Sequence, residues 1–141
     1  MISIELWLIT LATSWFLCGL IWVVQLVHYP AFRFVADFPA FHRHHTASIG
    51  VVVGPLMIVE LLAASLVVYR SGLAWTWLIP WLAVVAIWGQ TFLVAVPLHR
   101  SLSGGRDEEA IDKLILANWP RTVLWTFKAL WVSGLFVLRP Y

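Results

Sequence analysis

Five histidines carry the most evident chemistry in this 141-residue chain. His28, His42, His44 and His45 fall in one stretch, Gln25 to His45 (QLVHYPAFRFVADFPAFHRHH), and His99 stands apart. Neutral imidazole is the commonest side-chain metal ligand and suits iron, copper and zinc. The five are therefore candidate ligands for one or two transition-metal ions, iron or copper. A haem is an alternative, with His28 or His99 as axial ligand. Gln25 and Asn118 are candidates to hydrogen-bond around such a cofactor, and Asp107 is a nearby acid. Arg121 is a candidate to hold an anion: a haem propionate, an anionic lipid, or a substrate carboxylate or phenolate. There is no HExxH or Cys/His pattern to name a metal. Histidines at a membrane surface also sit among headgroups with no ligand at all.

Glu60 and Lys128 form a second constellation. Each lies more than half-way through its apolar segment, counted from the histidine side. An intramembrane carboxylate and ammonium at similar depth are expected to pair. They then either lock two helices together or move a proton or bind substrate. Arg121, Glu60 and Lys128 are thus the candidate catalytic side chains.

These residues need a scaffold, and composition says which kind. Hydrophobic residues make up 62% of the chain and charged residues 11%, against roughly 25% charged in a soluble domain. The apolar runs approach the ~20 residues that cross a bilayer core. The expectation is one integral membrane domain, an all-α transmembrane four-helix bundle running up-down-up-down. Its spans fall at about 4–27, 46–69, 73–96 and 119–138. A net charge of +2 is too small to suggest nucleic acid. The lone Cys18 excludes an internal disulfide and a multi-cysteine metal site. The N-terminus has no basic n-region, and its apolar run is too long for a signal-peptide core, so the first segment reads as a retained span.

Within the first segment, at ~100° per residue, Thr10, Ser14, Cys18, Gln25 and His28 fall within about 80° of one another. Such a stripe faces a bundle interior. The linker from Tyr29 to Phe41 is aromatic (Tyr29, Phe32, Phe34, Phe38, Phe41), with Pro30 and Pro39 and interleaved charges. It reads as an interfacial segment at headgroup level, or as a lid over the bundle end. In segment two, Gly50 and Gly54 form a small-xxx-small pair that lets another helix approach, and Pro55 predicts a mild kink. Arg70-Ser71-Gly72 is a tight turn. Trp75, Trp77 and Trp81 resemble an interfacial belt. Pro97 ends or bends segment three. Asp107 resembles an N-cap, and the helix it opens leads into segment four, bent or restarted at Pro120. Arg121, Trp125 and Lys128 share one helix face.

Four spans put both termini on one side and all five histidines on the other. The histidine side carries Arg33, Arg43, Arg100, Arg106 and Lys113, with Arg121 close by; the other carries only Arg70 and Arg139. The positive-inside rule places the histidine side in the cytoplasm and both termini outside.

At Val96-Pro97-Leu98-His99-Arg100-Ser101-Leu102, followed by Asn118-Trp119-Pro120-Arg121-Thr122, the chain resembles the small four-helix membrane proteins grouped with anthrone oxygenases. The likeness covers about a third of the chain. His99 stands where the family more often has Asn, and the His42-Arg43-His44-His45 run is not a family feature. The resemblance implies oxygenation of a lipophilic aromatic or polyketide-like substrate. The leading expectation is a metal- or haem-dependent membrane oxidoreductase or oxygenase acting on a lipophilic small molecule from the bilayer. The alternatives are a non-catalytic subunit of a larger membrane complex or a homo-oligomer, and a small proton or solute transporter using Glu60 and Lys128.

Overall fold

A computed structural model describes residues 2–138; Arg139, one of the basic residues counted above, lies outside the described residues. The described chain is helical throughout, with no strand. Four long helices follow one another: α1 (Ile4–Phe34), α2 (Phe38–Arg70), α3 (Trp75–Gly104) and α4 (Glu108–Val137). The first three are long and apolar enough to cross a membrane. The fourth carries Arg121 and Lys128, and both are buried. At ~1.5 Å per residue a helix of this length is about 45 Å long, more than the ~30 Å of a bilayer core.

Local chemistry sets the helix ends. Asp37 caps α2, accepting from the Ala40 N–H at 3.2 Å, and Asp107 caps α4, accepting from the Ala110 N–H at 3.1 Å. Each side chain satisfies one of the amides that have no partner within the helix. Gly72, at φ +66°, makes the turn between α2 and α3, a conformation that costs glycine little. Pro120 lies inside α4 without interrupting it.

Each helix packs against two neighbours, α1 and α3 both lying between α2 and α4. Two apolar clusters fill the bundle. One gathers Leu17, Ile21, Phe32, Phe38, Ile87, Leu114 and Trp125; the other gathers Leu6, Trp7, Val67, Trp77 and Val132. In α1 and α2 the polar layer falls between these clusters, and in α4 it lies at the edge of the first, at Trp125 and Lys128. Lys128 Nζ donates to Glu60 Oε1 at 2.7 Å and to Ser14 Oγ at 2.7 Å. The Trp125 indole donates to Glu60 Oε2 at 3.1 Å. Glu60 and Lys128 are each 1% exposed. This is the pairing expected from the sequence, and it ties α2 to the diagonally placed α4.

Several expectations change. The Tyr29–Phe41 stretch is not a separate interfacial segment. Helix α1 runs on through Pro30 to Phe34, and α2 begins at Phe38. Tyr29, Phe32 and Phe38 are buried in the bundle end, while Phe34 stays exposed. The tryptophan belt dissolves as well. Trp77 is buried edge-on against Trp7 with ring centroids 4.7 Å apart, and the Trp81 indole donates to Ser65 at 3.0 Å. Only Trp75 of the three is exposed. Gly50 and Gly54 are not a packing seam, because a Cβ added at either meets nothing within 4 Å.

Removing one partner of a buried ion pair leaves the other charge uncompensated and costs ~3–5 kcal/mol. Glu60→Ala is therefore expected to lower stability more than the double change Glu60→Gln with Lys128→Met, which leaves no charge. Unfolding both in the same detergent checks this; equal loss would argue against the pair as the lock.

Candidate functional site

Two helices approach the histidine end by the same device. In α1 the turn Val24–His28 widens to π geometry, and Pro30 follows two residues later; in α3 the turn Thr91–Ala95 does the same, and Pro97 follows. A proline has no N–H to donate, and its ring clashes with the carbonyl four residues back. Those carbonyls belong to Leu26 and Leu93, inside the widened turns. The π turn lets each helix pass its proline without ending. Such turns are common at functional sites, and these two flank the place where four imidazoles meet.

His28 comes from α1, His42 and His45 from one face of α2, and His99 from α3. His28 Nε2 lies 2.6 Å from His45 Nδ1, and His42 Nε2 lies 3.1 Å from His99 Nδ1. Ring centroids of His45 and His99 are 5.5 Å apart, which joins the two pairs. Each contact needs one nitrogen to donate and the other to accept, so each pair has at least one neutral ring. His42 and His45 are buried. Phe32, itself fully buried, meets all four rings edge-on, those of His28, His42, His45 and His99. His45 Nε2 is buried with no hydrogen-bond partner.

His44 is not part of the group. It is exposed, and its ring contacts Ser48 at 3.4 Å. On a helix, residues three apart share a face and an intervening one does not, which separates His44 from His42 and His45. Among the described residues no three His, Cys, Asp or Glu side chains are placed to hold one metal ion. The ring nitrogens turn toward each other in pairs.

A polar chain leads from the imidazoles into α4. The Tyr29 hydroxyl lies 3.0 Å from His99 Nε2. Arg121 Nη2 donates to that hydroxyl at 3.3 Å. A guanidinium can only donate, so the Tyr29 hydrogen is free to turn to His99 Nε2. Arg121 also donates to Asn118 Oδ1, through Nε at 3.0 Å and through Nη2, and its Nη1 lies 3.5 Å from Thr91 Oγ1. Asn118 Nδ2 donates to Gln25 Oε1 at 2.8 Å, and Gln25 Nε2 donates to the Ile115 carbonyl at 3.1 Å. Asn118 thus holds the Arg121 guanidinium, and Gln25 holds Asn118.

Below this end lies a pocket of about 840 Å³, within the range of small-molecule sites. Its polar end is His42, His99, Tyr29, Thr91 and Arg121, with Arg43 and Arg100 beside them. Its walls are apolar, among them Ile21, Val53, Met57, Trp88 and Phe92, and Trp125 links it to the Glu60 lock. Gly50 and Gly54 line it on the α2 side. No protein-family model, curated protein or solved structure matches this chain.

The candidate residues therefore separate. His28, His42, His45, His99, Gln25, Asn118 and Arg121 come together at one end. Glu60 and Lys128 stay at a distance along the helices, with both carboxylate oxygens satisfied by protein. Tyr29, Thr91 and Trp88 were missed as site residues. Tyr29 carried a usable signal, since it lies four residues after Gln25 on the inward stripe.

An unpaired buried polar group costs ~1–3 kcal/mol. Asn118→Leu removes the acceptor of Arg121 and a donor to Gln25, and it should lose about that much stability. His44→Ala, at an exposed position, should stay within ~0.5 kcal/mol. Denaturant unfolding of the two variants in detergent separates them. A silent Asn118→Leu would show that the network does not hold Arg121 in place.

Proposed function

We propose that this chain is a metal-dependent membrane oxidoreductase acting on a lipophilic molecule. The observation that carries the reading is the continuity of the pocket, apolar along its walls and ending on His42 and His99. A lipid-soluble molecule lying there presents one end to the imidazoles. His28, His42, His45 and His99 would supply the ligands of one transition-metal ion. The donor set suits it: four imidazoles in contact, and one of them, His45, with a buried nitrogen that has no other partner. Iron and copper are the ions that accept imidazole and change oxidation state. To hold an ion, the ring nitrogens that now pair, His28 with His45 and His42 with His99, would have to turn from each other toward it. The ion would supply electron transfer. Tyr29 and His99 would carry a proton to or from the substrate head, and Arg121 holds the Tyr29 hydroxyl in place. The resemblance to anthrone oxygenases supports a substrate of the same lipophilic kind.

The bundle is proposed to span the bilayer four times, up-down-up-down, with both termini outside and the histidine end cytoplasmic. Arg33, Arg43, Arg100, Arg106 and Lys113 at the histidine end support that orientation. A hydrocarbon exterior fits the outward residues, among them Leu26, Val27, Val51, Leu62, Leu93 and Leu130, all exposed.

The metal reading is tested by loading purified protein with iron(II) or copper and measuring bound metal after desalting. One ion per chain is expected. It should persist in His44→Ala and be lost in the double change His42→Ala with His45→Ala. A chain that stays metal-free after loading with each ion overturns the reading. A Soret band in the purified protein would replace the ion with haem. Orientation is read by an impermeant maleimide on intact cells, in a Cys18→Ala background. A cysteine at Ser71 should label, and one at Ser103 should not.

A further inference from the structure

We propose that the pocket is built for a lipophilic acid: a hydrocarbon body carrying one anionic oxygen group that docks on Arg121. The proposal rests on the pocket being the substrate site, and it is independent of the metal.

The charge inventory points to an anion. Three arginines line the pocket, Arg43, Arg100 and Arg121, and no Asp or Glu does. The chain has seven acidic residues. Glu60 is taken by Lys128; Glu108 and Asp112 pair with Arg33, and Glu108 also with Arg106; Glu109 pairs with Lys113. Asp37 and Asp107 cap helices, and Glu5 lies in the first turn of α1. Among the described residues, none is left for the pocket arginines. Arg121 is 7% exposed, and its partners are an amide oxygen and two hydroxyls, all neutral. A guanidinium buried without a counter-charge is unfavourable, and an oxyanion beside it supplies that charge.

The donors in the pocket wall agree. A guanidinium has five N–H groups, and Arg121 has one contact from Nε, two from Nη2 and a single long one from Nη1. One Nη1 hydrogen therefore has no partner among the described residues. That group wants an acceptor. The apolar walls want hydrocarbon.

A way in from the side is present. Gly50 and Gly54 withhold side chains from the α2 wall, and Ile58 and Phe92 line the pocket while remaining exposed on the bundle exterior. A molecule dissolved in the bilayer can enter between α2 and α3 without crossing the polar end.

The full-length protein, reconstituted in phosphatidylcholine nanodiscs, is titrated with the fluorescent fatty acid cis-parinaric acid and with its methyl ester. The acid is expected to bind saturably, at least tenfold more tightly than the ester. Arg121→Gln should remove most of that preference. Gly54→Leu, where added atoms meet open space, should block both ligands while the fold is kept. Because the acid-to-ester ratio is read on unaltered protein, it stands even if Arg121→Gln misfolds. Equal binding of acid and ester overturns the proposal. So does unchanged acid binding in Gly54→Leu, or competition by phosphatidylglycerol as strong as that by free fatty acid. Acid selectivity in a protein that takes up no metal sinks the metal reading and leaves this one standing. Stoichiometric metal with no acid preference does the reverse.

Discussion

Lys128 and Glu60 cannot exist separately in the interior of this bundle. Each is buried among apolar side chains, and neither an ammonium nor a carboxylate tolerates that environment without its partner. Pairing them fixes the relative height of α2 and α4, and the bond from Lys128 to Ser14 brings α1 to the same level. The rest of the site follows from that register. Trp125, one turn before Lys128, donates to Glu60 and lines the pocket. Arg121, one turn further, lines its polar end. On α2, Gly54 and Gly50 lie about two and three turns from Glu60 toward the histidines. The lock thus acts at a distance from the imidazoles, through the rigidity of two helices.

The second constraint lies at the other end of the pocket. Helices that pass a proline normally break or kink, and here both α1 and α3 pass one by widening a turn. The extra width sits where Gln25, His28 and Thr91 leave the helix axis. It allows inward side chains to come from α1 and α3 while both helices continue to the bundle end. Asn118 then gathers Gln25 and Arg121, and Tyr29 joins Arg121 to His99. A pocket results with the Arg121 guanidinium fixed at its head, Arg43 and Arg100 beside it, and hydrocarbon along its sides. That polarity matches the shape of an amphiphile.

Much of this was legible in the sequence for a simple reason. Helical periodicity is local, so the stripe from Thr10 to His28 and the shared face of Arg121, Trp125 and Lys128 follow from spacing alone, and the structure buries all of these but His28, which is half-buried. The Glu60–Lys128 pair was legible because depth along a helix can be counted. The caps at Asp37 and Asp107 are equally local, although only Asp107 was recognised. The misreadings share a cause. Trp77, Trp81 and the aromatics from Tyr29 to Phe38 are amphipathic rings that suit an interface or a core. Gly50 and Gly54 suit a close helix contact or an open wall. In each case the choice depends on what the neighbouring helix places opposite, and spacing within one helix carries no such information.

By itself, then, the amino-acid sequence determined that the chain is helical, which faces turn inward, and that all five histidines lie near the helix ends on one side. Those are properties of composition and of a 3.6-residue period. Tertiary structure decided which histidines meet. His44 is excluded by its angle on α2, and His99 is included because α3 continues past Pro97. It also decided that Arg121 has neutral partners and no acid, since that depends on where the seven acidic residues are spent across four helices. A buried charge without a counter-charge is a relation among distant residues, and only the packed bundle creates it.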